Sequence, residues 1–412
     1  MPQETESRDD MNNYTEYIVG RITDICKNYK RRIAGTESAR AGADDIANEA
    51  KAYADEVKTQ DFEIHPHAFL KSIQLCVAME ILAMPVSWIA CLTGHTLLYF
   101  VADAMILLGY VILVVEYVLY NQIIDKLCPK YTGKNVYAVR KPKGEVKRRI
   151  ILCGHHDAAF EMPLLNKLKM WMIYALFIVA GGGGLIDFLL NNILVLNFLP
   201  FEIEKTFMFV QTGFMVLSIP MLFFTDFHTV VDGANDNLTG TFLAMSILKE
   251  MADNDFRYEN TEVCALITDG EESGLRGAAA FAKENISMLM DANTIVIAMD
   301  TIHETEQLQI YARGINFTEQ NADEACNLLY FAGLKNGVEM PYAEFYPGAV
   351  DSEAFSRFGV KAAGICAVRH EPAPYYHTVH DSYDNLNPEC IELTRKIIKT
   401  AVDMFDGAGR IF

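Results

Sequence analysis

The chain has 412 residues, more than one ordinary domain needs, and its 35 Lys and Arg against 54 Asp and Glu leave a formal charge of −19. That balance argues against nucleic acid as a partner, because a surface that tracks phosphates reads basic. Hydrophobic residues make up 51% and charged residues 22%, so the apolar residues are segregated in blocks, and nine scattered cysteines with no C-x-x-C pair disfavour both a disulfide framework and a thiolate zinc site.

The first residues, MPQETESRDDMNNYTE, are acidic and polar, so no cleavable signal peptide is expected and any membrane segment is internal. Residues 38–57 carry an amphipathic helical pattern. Two apolar stretches follow, 72–92 and 97–120, each about the ~20 residues that span a bilayer, and a second pair lies at 170–190 and 206–224. They predict two membrane hairpins, 72–120 and 170–224. The competing reading is four buried helices of a large globular core, which the interrupting charges Glu80, Asp103, Glu116 and Asp187 keep open. Glu116 and Asp187 lie near helix ends, where a carboxylate sits at the interface. Glu80 and Asp103 fit better as a relay, an ion path or helix-to-helix hydrogen bonds. Gly181–Gly184 marks either a close helix approach or a local break. Between the hairpins, 121–169 holds eleven Lys and Arg, which by the positive-inside rule places this segment and both termini in the cytoplasm. The expected protein is a four-pass cell-membrane protein with only the tips near Gly94 and Asn197 outside.

The remaining sequence, 1–71, 121–169 and 225–412, reads as one α/β domain interrupted by the hairpins. The runs RIILCG, EVCALIT, TIVIAM and AAGICAV lack polar alternation, as strands covered on both faces do, and helices are expected at 238–252, 275–290 and 320–334. Chemistry collects where these strands end: RIILCG runs into His155-His156-Asp157, EVCALIT into Asp269-Gly270-Glu271-Glu272, and TIVIAM into Asp300. Three such clusters converging at one sheet edge suggest a metal site. His155 and Asp157 share a face of an extended backbone, leaving His156 structural, and Asp157 is a candidate to orient the His155 imidazole. Asp236 stands in the glycine-bounded turn GANDNLTG before an apolar helix, where capping that helix is the simpler role. Of the adjacent Glu271 and Glu272, one is suited to bind metal while its neighbour faces water, the pairing of Lewis acid and base that a metallohydrolase needs. Tyr376-His377 and His380 offer further groups near the C-terminus, with His303 and His370 as imidazoles lacking motif support.

The ordered set His155-x-Asp157, GAN-Asp236-NxxG, Glu271-Glu272-SGLxG, Asp300 and Tyr376-His377-TxxDSxDN resembles the M28 family of dizinc aminopeptidases. The likeness extends to RRIAGTES, to GKNVYAV and to DSEAFxxxGV. It covers most of the soluble sequence and none of the hairpins.

The resemblance implies a three-layer αβα zinc-peptidase fold with a mixed, mostly parallel sheet, joined to a four-helix transmembrane part. It implies two Zn²⁺ bridged by Asp236, with His155 and Asp300 completing one site and Glu272 and His377 the other. Glu271 would be the general base, Asp157 would orient His155, and Tyr376 resembles a tyrosine that stabilises the oxyanion. The implied partners are peptides with a free N-terminus and the lipid bilayer. The sequence carries no signal for an oligomeric state. Other enzyme readings are an M20-like dizinc deacylase or carboxypeptidase, disfavoured because no dimerisation domain fits between the later ligands, and a single-zinc glutaminyl cyclase, which the retention of His155 opposes. A different class is a catalytically inactive scaffold or transporter, whose expected mark, missing ligands, is absent.

Overall fold

In the computed structural model of the chain, which describes residues 8–196, 198–314, 320–344, 349–369 and 374–407, ten strands and thirteen α-helices alternate. His370 and Asn197 lie outside the described residues. Helix α1 (Arg8–Asn28) and helix α2 (Glu37–Ala50) come first, the latter capped by Thr36, whose side chain accepts from the Ala39 amide. The amphipathic pattern read over 38–57 therefore stops at Ala50. From Glu56 the chain is strand β1 (Glu56–Ile64), whose EVKTQDFEI is largely exposed and polar as befits an edge position.

Helices α3 (Ala68–Thr93) and α4 (Leu97–Ile112, continued by a wider turn to Val118) form the first hairpin. Then come β2 (Tyr131–Arg140), β3 (Arg148–His155), the short β4 (Phe160–Glu161) and helix α5 (Pro163–Lys167). Helices α6 (Met170–Leu194) and α7 (Phe201–Ser218) form the second hairpin, α7 running on through a tighter turn to Phe223. Beyond it lie β5 (Asp226–Val230), α8 (Thr239–Asp253), β6 (Thr261–Thr268), α9 (Arg276–Glu284), α10 (Ile286–Met290), β7 (Asn293–Ile302), β8 (Leu308–Arg313), α11 (Asp323–Lys335), β9 (Tyr342–Glu344), α12 (Asp351–Arg357), β10 (Lys361–Ala367) and α13 (Pro388–Gly407). The helix expected over 275–290 is broken at Asn285 into α9 and α10.

Eight strands form one sheet in the order β1-β2-β6-β3-β7-β10-β8-β9. The central β6, β3, β7 and β10 run parallel, while β1 with β2, β2 with β6 and β10 with β8 are antiparallel. Successive side chains of a strand face opposite ways. Ile150 and Leu152 of β3 thus join the core under α1, α2, α8, α11 and α13, whereas Ile151 and Cys153 join a second core under α9 and α12. That second core also contains Phe69, Leu70, Ile73, Val77, Ile173 and Ala180, so α3 and α6 pack directly on the α/β domain.

Four helices are long and apolar enough to cross a membrane: Ala68–Thr93, Leu97–Val118, Met170–Leu194 and Phe201–Phe223. Gly181–Gly184 does not break α6. A Cβ at Gly183 would approach Phe214 to 3.0 Å and one at Gly184 would strike Glu80 at 2.4 Å, while Gly181 and Gly182 face open space. The interrupting acids are buried between helices. Asp103 accepts from Asn191 and Asn192, both at 2.9 Å, and Gln211 binds the Asp187 carbonyl and Asn191. These contacts tie α4, α6 and α7 together by interhelical hydrogen bonds. Glu116 is fully buried and paired with Arg276.

Candidate metal centre

His155 is the last residue of β3, Asp300 stands near the end of the adjacent parallel β7, and Glu271 and Glu272 follow β6 on the other side of β3. Parallel neighbours end on the same edge, so the three clusters reach one place without long loops. Asp236 arrives from the turn before α8, and the glycines of that motif explain how. Gly154 has no room for a Cβ, which would meet the Gly240 carbonyl carbon at 2.4 Å, and a Cβ on Gly240 would meet the Met299 carbonyl oxygen at 2.2 Å. The start of α8 therefore lies against the backbones of β3 and β7. Thr241 Oγ1 donates to the His155 carbonyl (2.8 Å), Asn237 donates to the Met299 carbonyl (2.8 Å), and Asn237 Oδ1 accepts from the Gly240 amide (3.0 Å).

Within this frame the two carboxylate oxygens of Asp236 face different imidazoles: Oδ1 is 3.2 Å from His155 Nε2 and Oδ2 is 3.1 Å from His377 Nε2. His155 Nε2 is also 3.7 Å from Asp300 Oδ2 and 3.7 Å from Glu271 Oε2, and His377 Nε2 is 3.4 Å from Glu272 Oε2. Two ligands at ~2.05 Å from one tetrahedral ion stand roughly 3.3 Å apart, so this spacing fits side chains that share a cation. His155 Nε2 is buried without a hydrogen-bond partner despite its short contacts, and Glu272 Oε1 is likewise buried without one. The donor set of imidazoles and carboxylates is one that zinc accepts. Two sets of three side chains place ligand atoms within 4.8 Å of one another, His155 with Asp236 and Glu272, and His155 with Glu271 and Asp300. Glu271 is thus as near to His155 as Asp300 is.

Supporting groups fix these side chains. Asp157 lies 3.3 Å from His155 Nδ1, and its two oxygens accept the backbone amides of Glu271 and Glu272, each at 3.3 Å. His156 points away, its Nε2 3.0 Å from the Lys134 carbonyl. Two further carboxylates, to which the motifs assign no role, support the site. Asp381 accepts from the amides of Asn235 (2.7 Å) and Asp236 (3.2 Å), and Asp351 accepts from Thr268 Oγ1 (2.5 Å). Both belong to recognisable motifs, but their contacts depend on the folded chain. Tyr376 stacks on His377 with ring centroids 4.2 Å apart. His303 sits beside Asn235 Oδ1 (3.2 Å) and His380 beside Asn166 (3.4 Å), outside the cluster.

The electrostatics show a site built for added positive charge. Burial, then the charges of Asp300 and Glu272, push the Glu271 carboxyl well above the usual carboxylate range, against the pull of His155. Burial and Asp236 raise Glu272 and Asp300, each to about 8, against the opposing pull of His377 and His155 respectively. Burial would lower both imidazoles, yet Glu271 and Asp157 hold His155 well above its ordinary value, and Glu272 and Asp236 raise His377 to about 9. Carboxylates crowded away from water stay ionised when cations neutralise them.

The cluster forms the floor of a pocket that is partly open to solvent. Its walls are apolar and include residues that the motifs did not indicate: Phe69, Tyr120, Ile173, Phe177 and Phe224.

Residues 219–402 match the model of peptidase family M28. His155 and Asp157 precede that segment, on the other side of the second hairpin. No sequence among curated proteins matches the chain. Among solved structures it is similar to a glutaminyl cyclase from an Acidobacteriales bacterium (13% identity, 99% of this chain and 99% of that one, TM-score 0.54). It is also similar to an aminopeptidase from Aneurinibacillus sp. strain AM-1 (14%, 96% and 93%, 0.54) and to a zinc aminopeptidase from Bacillus subtilis (12%, 95% and 95%, 0.55). At these identities the likeness is one of fold, the mixed α/β fold of the zinc peptidases.

Proposed function

We propose that the protein is a membrane-anchored dizinc aminopeptidase. The observation that carries this reading is the Asp236 carboxylate, which turns one oxygen to His155 and the other to His377, the arrangement a bridging ligand needs. His155 and Asp300 would complete one metal position, Glu272 and His377 the other. Bound there, a pair of zinc ions would polarise a carbonyl and make water acidic enough to lose a proton near neutral pH. Glu271 takes that proton as water attacks the scissile carbonyl, then returns it to the departing nitrogen as the C–N bond breaks. The products are a free amino acid and a peptide shortened by one residue. Asp157 holds the His155 ring and, through the amides of residues 271 and 272, the base itself. Tyr376, which lines the pocket and stacks on His377, would donate to the developing oxyanion.

The N-terminal preference is the one the resemblance to aminopeptidases implies. Consistent with it, among the described residues no lysine or arginine lines the pocket to hold a substrate's C-terminal carboxylate. A panel of one peptide with a free, an acetylated or a glutaminyl N-terminus, assayed with and without chelator, tests the reading. Stepwise loss of N-terminal residues that chelation abolishes and zinc restores is expected. Cleavage indifferent to acetylation, shortening from the C-terminus, or ammonia release from the glutaminyl peptide without hydrolysis would overturn it.

The hairpins would return the chain to the side it left, which keeps His155 and Asp236 in one compartment, and the basic residues of 121–169 favour the cytoplasm. Single cysteines introduced at positions 94, 134 and 320 of a cysteine-free background should differ in intact cells. An impermeant reagent is expected to label only the first, and labelling at 134 or 320 would reverse the orientation.

A further inference from the structure

We propose that the substrate is a peptide held at a lipid–water interface, presenting a free amine on a large apolar first residue to the metal centre from the bilayer side. This rests on the aminopeptidase reading above and names the substrate class of that site.

The first observation is what walls the pocket. Phe69 belongs to the first turn of α3, Tyr120 follows the second membrane-length helix, Ile173 and Phe177 lie in α6, and Phe224 directly follows the fourth. All four membrane-length helices therefore converge on the catalytic pocket, each by its end nearest the α/β domain. Phe69 and Tyr120 are stacked, with ring centroids 5.3 Å apart, which joins the two ends of the first hairpin into one wall.

Depth follows from length. Helices of 22 to 26 residues rise about 33–39 Å at ~1.5 Å per residue, slightly more than a hydrocarbon core of ~30 Å. Their ends then lie at the boundary between headgroups and acyl chains. Ile173 and Phe177 stand three and seven residues beyond Met170, about 4.5 and 10 Å further along the axis, which takes that wall to the edge of the hydrocarbon. The outer surface agrees: Trp171 and Phe223, at the same ends of their helices, are each 65% exposed, as aromatic residues at a membrane interface are.

The chemistry of the walls restricts the occupant. Apart from the cluster at the floor, the lining among the described residues is apolar and aromatic, so it accepts an apolar side chain. A peptide that partitions into the interface reaches such a pocket at a raised local concentration, with its first side chain against Ile173 and Phe177.

The test uses zinc-loaded protein in phosphatidylcholine nanodiscs. One peptide beginning with Phe is compared with the same peptide carrying a palmitoyl group on a C-terminal lysine, and with versions beginning with Leu, Gly or Lys. The acylated peptide is expected to show kcat/KM at least tenfold above the plain one, an advantage lost when excess detergent micelles take up the tail. Phe and Leu should exceed Gly and Lys by about 100-fold, and Ile173→Asn and Phe177→Ala should compress that ratio, with zinc stoichiometry confirming that each variant is folded. Equal rates for plain and acylated peptides, or a preference for Gly or Lys, would refute the interface substrate while the plain peptide's hydrolysis keeps the peptidase reading. Hydrolysis of no peptide would refute both.

Discussion

Arg276 Nη2 lies 2.6 Å from Glu116 Oε1, and both side chains are buried. Arg276 follows the Glu271-Glu272 segment by one turn and also donates to the Tyr120 carbonyl at 2.7 Å. Glu116 Oε2 in turn accepts the amides of Ile123 and Ile124. One guanidinium thus fastens the end of the first hairpin to the segment that bears two site carboxylates and to Tyr120 in the pocket wall.

Removing Arg276 leaves the buried carboxylates of Glu116 and Asp125, the latter 3.5 Å from the guanidinium, without their cation. Arg276→Met should cost about 3–5 kcal/mol, and combining it with Glu116→Gln should recover most of that loss. Denaturant midpoints of the four proteins of this cycle in one detergent check the claim. Additive losses would show that the pair is not coupled.

Glu271→Gln removes the proposed base but not a proposed ligand. It should retain two zinc ions per chain and lose roughly 10²–10⁴ in kcat, whereas Asp236→Asn should lose metal itself. Elemental analysis alongside turnover separates the two, and a Glu271→Gln protein with native activity would remove Glu271 from the mechanism.

Asp381 holds the amides of Asn235 and Asp236 and so aims the proposed bridging carboxylate. Asp381→Ala should weaken zinc binding about 10–100-fold, the usual cost of losing a group that orients a ligand. Titration against a competing chelator measures it. Unchanged affinity would mean that the contacts with β3 and β7 hold the turn before α8 without Asp381.

Asp55 forms a two-point pair with Arg257, both contacts 2.6 Å, and the bonds from Arg257 pull its carboxyl down to about 2 from 3.8. A lowered folded-state value means that the pair stabilises above pH 4 and loses its contribution as pH falls toward 2. Both side chains are about a quarter exposed, so the effect is below ~1 kcal/mol. Asp55→Asn should lower the urea midpoint slightly at pH 7 and leave it unchanged at pH 2; a constant difference at both would exclude this ion pair as the cause.

By itself the sequence determined the central strands, the four apolar helices and the acidic and imidazole residues at the strand ends. β3, β6, β7 and β10 are covered on both faces, so each is a nearly unbroken apolar run, and parallel order sends their C-terminal ends to one edge. Edge strand β1 left no such mark because it is polar and only partly buried, and its first two residues fall within the helical pattern read over 38–57. Tertiary structure alone decided that Asp381 and Asp351 support the site and that Glu116 pairs with Arg276, across 160 residues of chain. It alone also decided that the hairpin ends wall the pocket. An apolar residue in a membrane-length helix reads the same in sequence whether it faces lipid or substrate. Phe177 turns to the pocket while Ile178 beside it is 72% exposed, a difference set by helix packing rather than by composition.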